Sequence, residues 1–176
     1  MRTTSRFQFI ALLVASTIAA GACADERSRE LPVAPLEVGP NELSAYVVVS
    51  DPNPAIGSQF TVAVRTRRGA AVGRIGSFTI KVAFDTTRLR FHEAARSQQG
   101  MVMANVAQPG VLIAAGASAD GFAGDELLSA TFTAVSAGAV ESLALMVTEL
   151  NSVKFENQRD QVRVRRGAFR DAAPKK

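Results

Sequence analysis

The eight residues Ser77–Phe84 (SFTIKVAF) alternate apolar with polar or small residues without a break. Successive side chains of a strand point to opposite faces. Phe78, Ile80, Val82 and Phe84 therefore share one side, and Ser77, Thr79, Lys81 and Ala83 the other. A helix would scatter the same residues around its circumference, so the spacing predicts a strand with one buried face. The same period recurs along the chain. Leu43–Val49 and Gln59–Thr66 precede this segment, and Asp51-Pro52-Asn53-Pro54 is the turn between them. Leu89–Phe91, Met101–Ala107, Val111–Ala117, residues 127–134, Leu143–Val147 and Gln161–Arg166 follow, with Val162 and Val164 expected inward. Gln108-Pro109-Gly110 reads as a hairpin turn. Residues 140–150 are the one ambiguous case, but Leu143, Leu145 and Val147 at i, i+2 and i+4 favour a strand. About nine strands with one apolar face each need two facing layers. The expected fold is all-β, a two-sheet jelly-roll β-sandwich.

The N-terminus carries a different signal. Met1–Arg6 holds two arginines and no acid, Phe9–Ala15 (FIALLVA) is apolar, and small residues follow. This order is that of an export signal. The 14 residues Phe9–Ala22 fall short of the ~20 needed to span a bilayer. The single cysteine closes the segment in Ala19-Ala20-Gly21-Ala22-Cys23, which resembles a bacterial lipobox, although Ala20 stands where leucine is usual. Lipidation at Cys23 is one reading; an ordinary signal-peptidase cut at Ala22 or Ala24 is the other. Residues 25–51 hold two arginines against six acids, so charge does not hold this end to an anionic membrane. A two-chain lipid on Cys23 would. The expected organisation is a signal peptide over 1–22, a proline-containing tether over 23–42, a β-sandwich over 43–166 and a basic tail over 167–176. Leu36–Val38 is also readable as an edge strand. The protein is expected to be exported and anchored to the envelope, or else secreted or periplasmic.

Composition narrows the chemistry. One cysteine excludes a disulfide framework. One histidine, His92, leaves little room for histidine-based catalysis, and nothing in the sequence orients it toward Ser97. No enzyme activity and no cofactor are expected. Asp120, Asp125 and Glu126 form the compact acid cluster; calcium is one reading and a solvated loop the other. Asp85 before Thr86-Thr87 is read as a turn residue accepting backbone N–H bonds. The chain has no tryptophan and one tyrosine, Tyr46, and its phenylalanines mostly fit inward positions or the signal, which argues against a flat crystalline-polysaccharide platform. Removing Arg2 and Arg6 with the signal leaves 18 basic against 16 acidic residues. Residues 154–176 carry eight of those basic residues and three acids. They read as a charged edge strand or a surface for an anionic partner, and not as a nucleic-acid site, because stacking aromatics are not interleaved.

A family resemblance rests on three pieces. Gly76–Phe91 (GSFTIKVAFDTTRLRF) resembles the strand, aspartate turn and strand of cohesin-type domains. Asp120–Phe132 (DGFAGDELLSATF) is similar to that family's glycine loop and following strand, and Pro54–Val62 (PAIGSQFTV) resembles its opening. Together they cover about residues 43–166. The resemblance implies a jelly-roll binding module whose known members hold dockerin modules of polysaccharide-degrading complexes. It names no binding residues here. The partner expected is an envelope or extracellular protein, with a polysaccharide as the alternative.

Overall fold

A computed structural model describes residues 31–34, 37–95, 97 and 99–170. The expected signal peptide over 1–22, Cys23 and residues 171–176 lie outside them. Nine strands are described: β1 Leu43–Val49, β2 Gln59–Arg68, β3 Ile75–Ala83, β4 Leu89–Ala94, β5 Met101–Gln108, β6 Val111–Ala117, β7 Glu126–Ala134, β8 Ala144–Ser152 and β9 Val162–Arg170. One sheet has five strands in the order β4-β7-β2-β1-β9, the other four in the order β5-β6-β3-β8. All pairings are antiparallel except β1 with β9. The fold is therefore the two-layer all-β sandwich that the period-two pattern predicts.

The core lies between the sheets. Phe78, Ile80 and Val82 of β3 meet Val47, Val62, Val64 and Phe132 of the opposite layer in one buried cluster. Phe132 is fully buried, with its ring 5.2 Å from Phe84 and 5.6 Å from Phe91. Gly116 faces Phe78: a Cβ there would lie 2.5 Å from the ring, so this close approach requires glycine.

β1 is buried on both faces. Its outward residues Tyr46 and Val48 form a second small cluster with Ala34 and Phe169. Tyr46 and Phe169 meet edge to face at 5.7 Å. Ala34 is held there by backbone bonds: Arg170 accepts from the Ala34 N–H and donates to the Pro32 carbonyl, both at 3.0 Å. The strand-like pairing of the N-terminal segment is thus at Val33, which bridges Arg170. Residues 37 and 38 lie in no strand.

The C-terminal strand corrects two expectations. It runs to Arg170, four residues past the expected boundary, and buries Ala168 and Phe169. Val162 packs against the core, but Val164 stays 36% exposed. Val164 lies level with the buried Ala45 but on the edge strand, and a bulge follows it. Between Ala45 and Val47 of β1 the pairing on β9 steps from Val164 to Ala168. Gly167, at φ 80°, makes the step and leaves Arg166 in solvent, where straight alternation would drive a charge inward.

Candidate functional site

The outer faces of the two sheets differ in chemistry. That of the five-stranded sheet is largely self-satisfied. Arg65 pairs with Glu126 at 3.6 Å, Arg67 with Asp125 at 2.9 Å and Arg163 with Glu42 at 3.2 Å, while Ala34 covers the apolar patch.

The outer face of the four-stranded sheet is uncovered and mixes apolar with polar residues, Thr79 donating to Glu149 at 3.1 Å and Asn151 to Ser77 at 3.2 Å. Register sets its rows across β5, β6, β3 and β8: Met101–Ala117–Ser77–Asn151, then Met103–Ala115–Thr79–Glu149, then Asn105–Ile113–Lys81–Met146. Alanine, serine and threonine floor the first two rows, Ile113 and Lys81 the third, and methionines stand at both edges. Two shallow hollows result, one of about 320 Å³ between Met103 and Thr79, the other of about 280 Å³ between Val111 and Met146. Met101, Met103 and Met146 are 73%, 71% and 61% exposed. They are all the methionines of the described residues, and none is in the core. Methionine is ordinarily a buried gap-filler, and its use on an exposed face is typical of adaptable binding surfaces.

The residues singled out in the sequence are dispersed. Asp85 Oδ1 accepts from the Thr87 N–H at 2.8 Å and the Thr87 hydroxyl at 2.7 Å. These bonds, with Arg88 close by, hold its carboxyl below the usual carboxylate range. Glu42 is lowered similarly, chiefly by the Gly39 N–H and then by Arg163. Asp125 and Glu126 lie against separate arginines, and Asp120 contributes its backbone carbonyl to Arg74 at 3.5 Å. Among the described residues no group of three acids, histidines or cysteines is placed to hold a metal. His92 is exposed and its Nε2 lies 2.6 Å from Thr133 Oγ1, whereas Ser97 Oγ accepts from Gln99 N–H. The structure does not join the two. Phe155 is the exception among phenylalanines that mostly turn inward: it points to solvent and is 91% exposed.

No family model and no curated protein matches the sequence. Solved structures do match. The cohesin module of a Clostridium perfringens family 33 glycoside hydrolase superposes with a TM-score of 0.57 at 14% identity, covering 73% of this chain and 98% of that one. The fold is that of a cohesin module. A cohesin–dockerin complex of Clostridium thermocellum matches with a TM-score of 0.52 at 10% identity, over 78% of this chain and 99% of the other. The sixth cohesin of an Acetivibrio cellulolyticus scaffoldin, solved with a dockerin, gives 0.51 at 15%, over 75% and 98%. At such identities the likeness is one of backbone architecture. The methionine-edged face, the Asp85 turn and the β9 bulge of this cohesin-like domain are read from its own residues.

Proposed function

We propose that this cohesin-like domain is a non-catalytic binding module of the cell envelope, and that it docks a protein partner on the outer face of its four-stranded sheet. The observation that carries the reading is the concentration of Met101, Met103 and Met146 around a small-residue floor on the one outer face not covered or ion-paired. Seven residues of strand and four strands give a face of roughly 20 by 20 Å. That is on the order of 400 Å², about half of what one partner commonly buries, so the rim and neighbouring loops must also engage. The dockerin complexes of C. thermocellum and A. cellulolyticus support a dockerin-like module as the partner class. A lipid on Cys23 would hold the domain at the membrane, and a role in scaffolding polysaccharide breakdown follows from the same resemblance.

The test is surface plasmon resonance of the full mature chain against a panel of purified dockerin modules. Ala115 is exposed in the middle of the face, so Ala115→Arg blocks contact without disturbing the core. Saturable binding of a dockerin, lost in Ala115→Arg, is the expected result. Binding that survives this substitution moves the site elsewhere, and silence across the panel removes dockerins as the partner class.

A further inference from the structure

At the Leu43 end of the sandwich the chain leaves β8 through a tight turn. The Phe155 N–H donates to the Ser152 carbonyl, and the Ser152 N–H to the Glu156 carbonyl, both at 2.9 Å. A turn closed in this way puts its last residue in the left-handed region, where glycine or asparagine ordinarily sits. Here that residue is Phe155, at φ 63°, the single non-glycine with positive φ among the described residues. Its ring is also the most exposed large apolar side chain described. An outlier of this kind persists where its surroundings impose it, and such outliers cluster at ligand sites. Ser152 imposes it: buried to 2% exposure, its Oγ accepts from the Lys154 N–H at 3.1 Å and the Glu156 N–H at 3.2 Å.

Beside the turn lies a hollow of about 380 Å³, lined by Asn41, Glu156, Asn157, Gln158 and Gln161 among others. Ala71, Val72 and Gly73 complete its wall; Glu156 Oε2 accepts from the Ser152 hydroxyl at 3.2 Å and Asn157 Oδ1 from the Arg159 N–H at 2.8 Å, which leaves the second Glu156 oxygen, the Asn157 amide nitrogen and Gln161 for a ligand. Gln158 is 4% exposed; its Nε2 donates to the Gly73 carbonyl at 3.3 Å, and its Oε1 has no hydrogen-bond partner among the described residues. Charge at the turn is balanced, Lys154 and Arg159 against Glu156 and Asp160.

We propose that this turn and hollow bind a neutral polysaccharide chain, with Phe155 as the stacking surface and Glu156, Asn157 and Gln161 as partners for sugar hydroxyls. A pyranose presents an apolar face of C–H groups and a rim of hydroxyls. An exposed aromatic ring takes the first, and amides with a carboxylate take the second, as donors and acceptors together. The balanced charge suits a neutral polymer over an anionic one or an anionic membrane. A single ring grips one sugar of a soluble chain; it does not make the flat platform that crystalline material requires. The stiff turn keeps the ordering cost of binding low. The site adjoins the β8 end of the methionine face, where Asn157 bridges Asn151, and lies two strands away from Ala115.

The test is isothermal titration of the full mature chain with cellohexaose, xylohexaose and chitohexaose, alongside Phe155→Ala, Gln161→Ala and Ala115→Arg. Saturable binding of at least one sugar is expected, weakened about tenfold by Phe155→Ala and severalfold by Gln161→Ala, and unchanged by Ala115→Arg. Three outcomes overturn the proposal: no sugar binds at millimolar concentration, Phe155→Ala binds as the parent does, or Phe155 is needed instead for binding vesicles of phosphatidylethanolamine and phosphatidylglycerol or a dockerin.

Discussion

Replacing Phe155 by glycine removes a side chain from a backbone conformation that L-residues adopt at a cost of about 1–2 kcal/mol. The ring is 91% exposed, so its loss forfeits almost no burial. Against the relief stands the greater freedom of glycine in the unfolded chain, about 0.5–1 kcal/mol. The balance is a net stabilisation of about 0.5–1 kcal/mol, which for a domain of this size raises Tm by roughly 2 °C. Phe155→Ala is the matched control. It removes the ring but keeps a Cβ, so the strain remains and Tm should stay within about 1 °C of the parent. Differential scanning calorimetry on the three proteins, with urea titrations to confirm the order, reads the effect. A glycine variant no more stable than the alanine variant would show that the turn is not strained as described. Together the two variants separate the backbone cost of Phe155 from the use of its ring, because only the glycine variant changes stability while both lose the stacking surface.

Three further outcomes are expected. Phe132→Ala should cost about 3–5 kcal/mol in urea unfolding, since a fully buried ring between Phe84 and Phe91 leaves a cavity; a loss under about 1 kcal/mol would contradict the packing. Cys23→Ser should move the protein from the membrane to the soluble fraction on cell fractionation, and persistent membrane association would refute lipid anchoring. Asp85 is held below its ordinary range when folded, so its stabilisation is complete above the unfolded value near pH 4 and is lost as pH falls through the lower folded value. The Tm deficit of Asp85→Asn should accordingly be largest near neutrality and shrink in acid; a deficit constant with pH would show that the charge is not what the turn uses.

Period two carries most of the fold because each strand of a sandwich meets the core on one face. Ser77–Phe84 and Gln59–Thr66 are legible for that reason, and their inward residues are those in the core. β1 departs from the rule, yet Tyr46 and Val48 already place apolar groups on its second face. What covers them, Ala34, comes from a segment without periodicity, and long-range pairing of that kind leaves no local trace. In β9 the alternation of Val162 and Val164 extrapolates to Arg166, and Gly167 is the one sign that a bulge intervenes. The candidate surfaces were less legible. Met101 and Met103 sit at i and i+2 in β5, but only the register across three strands sets them on the same face as Met146. Phe155 is hidden by the assumption that phenylalanine turns inward. The local cue is its place in Lys154-Phe155-Glu156-Asn157, where a polar turn holds one large apolar residue.

The pair of backbone hydrogen bonds joining Pro32 and Ala34 to Arg170 has a mechanical meaning. Tension applied through the N-terminal side would reach these two bonds first and peel them one after another, while the ladders of the sheets stayed unloaded. The next holdfasts are the bonds that Pro40 and Glu42 accept from Ala71 and Gly69, so the chain would be released no further than this second pair. The same event would uncover Tyr46, Val48 and Phe169, turning a pull on this end of the domain into newly bared aromatic surface.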